Sequence, residues 1–169
     1  FKVKKVRTGD TLDVAIMRER IHFPDVEYSG MLDDTTGYIL QSGFTEGVSQ
    51  QIKEKFLNLK GQGMKRLVLD LRGNGGGLMS EAVNIISLFV PKGSLAVSSK
   101  GLEENSRREY RTQSEPIDIT TPIIVMIDGG SASASEIVSG GLQDLKRATI
   151  MGKTSFGKGL VQSIRPLPY

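Results

Sequence analysis

The sequence predicts an α/β protein, a layer of buried strands with helices packed on it, and three observations carry that prediction. The runs Leu67-Val68-Leu69-Asp70-Leu71 and Ile123-Ile124-Val125-Met126-Ile127 are apolar almost throughout, the pattern of parallel strands covered on both faces. Each run breaks at glycines and is followed by helical spacing, as in alternating strand–helix units. The composition is that of an ordinary globular chain, 38% hydrophobic and 24% charged over 169 residues, enough for one domain with a real core.

Residues 1–21 alternate, with Val3 and Val6, a Thr8-Gly9-Asp10 turn, then Leu12, Val14 and Ile16, which reads as a β-hairpin. Two strands alone are marginal in water, so these are expected to be the tail of a neighbouring domain joined at His22-Phe23-Pro24. Val26-Glu27-Tyr28 and Tyr38-Ile39-Leu40 read as short strands around the polar turn Asp33-Asp34-Thr35-Thr36-Gly37. Thr45 is placed to cap a helix whose apolar face is Val48, Ile52, Phe56 and Leu59 and which stops at Gly61.

After the strand at Leu67–Leu71, the cluster Gly73-Asn74-Gly75-Gly76-Gly77 leads into a helix with Leu78, Ala82, Ile85, Ile86 and Phe89 facing inward, stopped by Pro91. Leu95-Ala96-Val97 reads as a strand, and the polar residues 100–120 as a long surface loop. After Ile123–Ile127 and Gly129-Gly130, the spacing of Ala134, Ile137, Val138 and Leu142 predicts a helix closing near Gly140-Gly141. Arg147 to Met151 and Leu160-Val161-Gln162 are the last expected strands.

Composition narrows the chemistry. A net charge of +3 is too small to imply nucleic acid, and the basic residues are interspersed with acidic ones, as in Arg18-Glu19-Arg20 and Arg107-Arg108-Glu109. With no cysteine there is neither a thiolate nucleophile nor a cysteine metal site, and one histidine, His22, excludes a His-rich one. No run approaches the roughly 18 apolar residues of a membrane-spanning helix.

A serine where a strand turns into a helix is held out of the core, beside the free N–H groups and positive end of the helix. Ser131-Ala132-Ser133-Ala134-Ser135-Glu136-Ile137 stands at such a corner, the arrangement of a nucleophile elbow without the G-x-S-x-G letters. The plainer alternative is an N-cap serine on an ordinary helix. A serine nucleophile needs a base. His22 lies in an extended, turn-flanked segment far from the corner, whereas Lys158 stands among glycines and apolar residues in Ser155-Phe156-Gly157-Lys158-Gly159-Leu160-Val161-Gln162. A lysine kept neutral by burial serves as a base, and Gln162, four residues on, is placed to orient the amine.

Oxyanion donors are expected from the N–H of Ala134 and from the glycine cluster near Gly76, which is otherwise a plain strand-to-helix turn. Two phosphate-binding motifs fail. Leu78 stands where a dinucleotide fingerprint needs its third glycine, and Gly159 stands where a P-loop after Gly152-Lys153 needs Ser or Thr.

Three motifs occur in order: Asp70-Leu71-Arg72-Gly73-Asn74-Gly75-Gly76-Gly77, Gly130-Ser131-Ala132-Ser133-Ala134-Ser135-Glu136-Ile137 with Gln143-Asp144, and Phe156-Gly157-Lys158-Gly159-x-Val161-Gln162. Together they resemble the C-terminal processing peptidases, or tail-specific proteases, from about Gly37 to Gln162. The resemblance implies a crotonase-like α/β protease core over 23–169, truncated at its C-terminal end, preceded at 1–22 by the last strands of a PDZ domain. It also implies a serine endopeptidase in which Ser133 is the nucleophile, Lys158 the general base and Gln162 its orienting partner.

Glu136 and Asp144 fall on supporting positions, although helix capping and surface pairing explain them as well. No cofactor is implied. Substrates are expected to be protein tails bound as extended segments, with no nucleic acid, with oligomerisation left open, and in the periplasm or cell envelope. The chain departs from the pattern in lacking most of the PDZ domain, in stopping at Tyr169 where relatives continue, and in having Ser155 where threonine is usual. Two rival readings share the glycine loop: an acyl-thioester enzyme of crotonase type, and a non-catalytic peptide-binding fragment.

Overall fold

The computed structural model describes residues 1–17 and 24–162. Strands β1 (Lys2–Lys4) and β2 (Thr11–Asp13) form an exposed antiparallel hairpin, with Val3 opposite Leu12. It is shorter than the alternation over 1–21 predicts; His22 lies outside the described residues.

The main sheet begins with a second hairpin, β3 (Val26–Met31) and β4 (Thr36–Gln41). Asp33 at its tip accepts the N–H groups of Thr35 and Thr36, which closes the turn. Helix α1 (Val48–Gly61) buries Val48, Ile52, Phe56 and Leu59, as their spacing predicts. Its N-cap is Gly47 rather than Thr45, because the Thr45 N–H and hydroxyl are both taken by buried Asp25.

Strand β5 (Arg66–Asp70) follows, then α2 (Met79–Ser87), which turns Ala82, Ile85 and Ile86 inward. Phe89 continues that face and meets Phe56 edge-on, with centroids 5.3 Å apart. Both rings are fully buried, so truncating either to alanine should cost about 3–5 kcal/mol. Leu78, expected to face inward, is exposed just ahead of α2.

Strand β6 (Leu95–Ser99) pairs with β7 (Arg108–Arg111), and a short 3₁₀ turn, Glu104–Ser106, lies between them. The sequence pattern predicts a surface loop over 100–120. An Arg-Glu-Tyr-Arg strand in a two-stranded ribbon has no apolar alternation to announce it. Strand β8 (Ile123–Ile127), α3 (Ala134–Asp144) and β9 (Ala148–Gly152) complete the fold. Helix α3 runs through Gly140-Gly141 instead of closing there. A Cβ on Gly141 would lie 2.8 Å from Ile86 Cδ1 and 3.1 Å from Ala96 O, so the glycine serves close packing on α2 and β6. The strand expected at Leu160–Gln162 is absent; residues 153–162 carry no regular structure.

The five-stranded sheet has the order β3-β4-β5-β8-β9 and is parallel from β4 onward. Asp70 pairs with Met126, and Ile127 pairs with Gly152, so β5, β8 and β9 end at one edge. The segments leaving those ends are the glycine loop, the serine corner and the loop carrying Lys158. Ligands of parallel α/β sheets bind outside the carboxyl ends of the strands.

Candidate active site

Ser133 is the N-cap of α3, with φ 57° and ψ −112°. That backbone is outside the regions open to side-chain-bearing residues, and such strain survives only where the surroundings enforce it. The three serines of the corner have separate roles. The Ser131 hydroxyl donates to Leu71 O at 2.7 Å and accepts the Asp128 N–H at 3.0 Å. The Ser135 hydroxyl donates to Asn74 O at 2.8 Å. Both side chains are fully buried, whereas Ser133 is partly exposed and lines a cleft of about 1000 Å³.

The glycine loop closes on this corner from the β5 side. Asp128 accepts the N–H groups of Gly73 and Gly130, each at 2.9 Å, and these bonds hold its carboxyl below the usual range. Gly76 has φ +97°, and a Cβ there would lie 2.6 Å from Ala132 O and 2.8 Å from Ala134 N. Only glycine permits that approach. Gly76 does not, however, offer its N–H to the cleft, as the sequence reading expected: Asn74 Oδ1 takes it at 2.9 Å. The loop folds back on its own asparagine, a contact that residue spacing gives no means of anticipating.

Glu136 joins the corner to the third segment. Its Oε2 accepts the N–H of Ser133 at 2.8 Å and of Lys158 at 3.1 Å; its Oε1 accepts the Ser155 hydroxyl at 2.8 Å and the Gly157 N–H at 2.6 Å. Burial pushes this carboxyl up, but the four hydrogen bonds outweigh it and leave the group below its ordinary value. Phe156 N–H adds a bond to Ser131 O at 2.9 Å. The Lys158 ammonium nitrogen reaches Gln162 Oε1 at 3.3 Å. Lys158 is half-buried rather than buried, because its loop is held through Glu136 and not by packing in the core.

The cleft therefore brings together Ser133, Lys158, Gln162, Gly76 and Glu136, with Ala134 beneath Gly76 as the first residue of α3. Asp144 reaches the same cleft only from the far end of α3, exposed and without a side-chain hydrogen bond among the described residues. A neighbouring cluster was not anticipated. Arg72 forks onto Asp70 at 2.7–3.0 Å, and the Tyr38 hydroxyl donates to the same carboxylate at 2.6 Å. Burial pushes Asp70 up; Arg72 and Tyr38 pull it below the usual range. Among the described residues no acidic or histidine cluster is built to hold a metal.

The sequence profile of peptidase family S41 matches residues 35–169. The chain belongs to that family. It is 40% identical over 160 residues to the carboxy-terminal-processing protease of Bartonella bacilliformis, covering 92% of this chain and 36% of that protein. It is 37% identical over 137 residues to the chloroplastic C-terminal processing peptidase of Tetradesmus obliquus, covering 80% and 29%. Among solved structures, a photosystem II D1 C-terminal processing protease superposes with a TM-score of 0.68 at 37% identity, over 76% of this chain and 33% of that one. The S41 chain thus spans about a third of the length of these relatives. No helix among its described residues is long and apolar enough to cross a membrane.

Proposed function

We propose that this chain carries the catalytic site of a serine endopeptidase that cuts proteins at or near their C-terminal tails through an acyl-enzyme. The observation that carries the reading is the enforced positive φ of Ser133 in the cleft, between two serines whose hydroxyls are already committed.

A neutral Lys158 amine takes the Ser133 proton as Oγ attacks the scissile carbonyl, and Gln162 Oε1 orients that amine. The oxyanion of the tetrahedral intermediate is met by two backbone donors. Ala134 N–H, at the N-terminus of α3, is one. Gly77 N–H, just ahead of α2 and taken up by no group among the described residues, is the other, in place of Gly76. As the intermediate collapses, the lysine ammonium returns its proton to the leaving amine. A water then repeats the cycle on the acyl-enzyme and frees Ser133.

Glu136 is a positioning residue here, tying the Ser133 backbone to the Lys158 loop. Asp144, at the rim, takes a supporting part at most. The exposed apolar residues Leu78, Leu160 and Val161 line the cleft and suit an extended peptide. In the same reading the core over 23–169 is crotonase-like, residues 1–22 are the last strands of a PDZ domain, and the enzyme works in the periplasm or cell envelope, with or without oligomerisation.

The test is mass spectrometry of an unstructured protein substrate incubated with wild type and with Ser133→Ala. Cleavage near the C-terminus by wild type alone is expected. Equal cleavage by Ser133→Ala would remove the nucleophile, and tight peptide binding without any cleavage would favour a binding fragment. A fluorophosphonate label on Ser133 separates the peptidase from an acyl-thioester enzyme, which needs no such serine.

A further inference from the structure

Asn74 does not line the cleft, yet it ties the glycine loop to the serine corner. Its side chain is fully buried. The amide nitrogen donates to Gln41 O at 2.8 Å, at the end of β4, and the amide oxygen accepts the Gly76 N–H at 2.9 Å. Its main-chain oxygen accepts the Ala132 N–H at 3.0 Å and the Ser135 hydroxyl at 2.8 Å, on either side of Ser133. One residue therefore bonds to the sheet, to the glycine loop and to the serine corner.

Only asparagine fits the inner pair of contacts at this length. An aspartate would set a second acceptor against Gln41 O, and a serine would not span from Gln41 to Gly76. We propose that Asn74 is a positioning residue that sets the separation of the two oxyanion donors, Gly77 N–H and Ala134 N–H. By taking the Gly76 N–H it also leaves the next N–H of the loop for the substrate. This rests on the acyl-enzyme reading of the site.

The variants Asn74→Ala and Asn74→Asp should lower kcat about 10²-fold, the loss that follows removal of one oxyanion donor, with KM within about twofold of wild type. Labelling of Ser133 by a fluorophosphonate, whose phosphoryl oxygen needs the same donors, should slow in proportion. Ser135→Ala removes one bond onto the Asn74 main-chain oxygen and leaves the side chain alone; it should lower kcat about fivefold, again with KM unchanged.

A folded Asn74→Ala protein with wild-type kcat overturns the proposal, as does a loss confined to KM with labelling unaltered. If Asn74→Ala fails to fold, the isosteric Asn74→Asp decides, and wild-type kcat there overturns it. A wild-type protein that neither cleaves nor labels removes the peptidase reading itself, and the proposal with it.

Discussion

Glu136 Oε2 accepts the backbone N–H of Lys158 at 3.1 Å, and the same oxygen accepts that of Ser133 at 2.8 Å. One carboxylate thus ties together two positions 25 residues apart in the chain (158 − 133 = 25), with α3 and β9 between them in sequence.

Replacing that carboxylate should loosen the pair. Glu136→Gln keeps the shape but has one acceptor oxygen where four donors converge. Hydrogen bonds to a charged group are worth about 1.5–3 kcal/mol, so a loss of roughly tenfold to a hundredfold in kcat is expected. The pH dependence has a definite sign. The folded carboxyl lies below the ordinary 4.5, so the clamp is complete above that value and is lost as the pH falls through the depressed one. Wild-type activity measured downward from pH 6 should fall more steeply than loss of the neutral lysine alone requires, and Glu136→Gln should lack that extra fall. An identical fall in the variant would assign it elsewhere.

The strain at Ser133 should be visible as stability. A positive φ at a residue with a Cβ costs about 1–3 kcal/mol, and glycine relieves it at some cost in chain entropy. Ser133→Gly should be inactive yet melt about 2–4 °C above Ser133→Ala, which keeps the Cβ. Equal melting temperatures for the two would mean that the corner is not strained.

The base is tested by charge retention. A free lysine titrates near pH 10.4, so a Ser/Lys mechanism predicts a cleavage rate that rises with pH as the amine becomes neutral. Lys158→Arg should be inactive, since a guanidinium does not deprotonate in proteins. His22→Ala should leave the profile unchanged. Appreciable activity in Lys158→Arg, or its loss in a folded His22→Ala, would replace lysine as the base.

The close approach of Gly76 gives a steric prediction. Gly76→Ala adds a Cβ 2.6 Å from a main-chain oxygen at φ +97°, so the loop must move away from Ala134. Turnover should fall at least 10²-fold, with a lower melting temperature. Gly61→Ala, at the end of α1 with nothing within 4 Å of the added carbon, should instead gain about 0.5–1 kcal/mol. A fully active Gly76→Ala enzyme would take the loop out of the mechanism.

The amino-acid sequence by itself determined the strands with continuous apolar runs, the inward faces of α1 and α2, the glycine break after β5 and the serine corner after β8. Those features rest on periodicity and local steric rules, which act within a few residues. It missed β7 and the passage of α3 through Gly140-Gly141, where pairing or packing with distant residues overrides local pattern, and it placed a strand at Leu160–Gln162, where no strand among the described residues pairs with the chain. Only the tertiary structure decided how the site is assembled. Parallel pairing of β5, β8 and β9 sets three separate loops at one sheet edge, and Asn74 and Glu136 then accept the N–H groups of Gly76, Ser133, Gly157 and Lys158 and tie those loops together. The Gly76 N–H turns away for that reason: a backbone donor's partner is chosen by the geometry of the folded chain, and side-chain spacing along the sequence does not encode it.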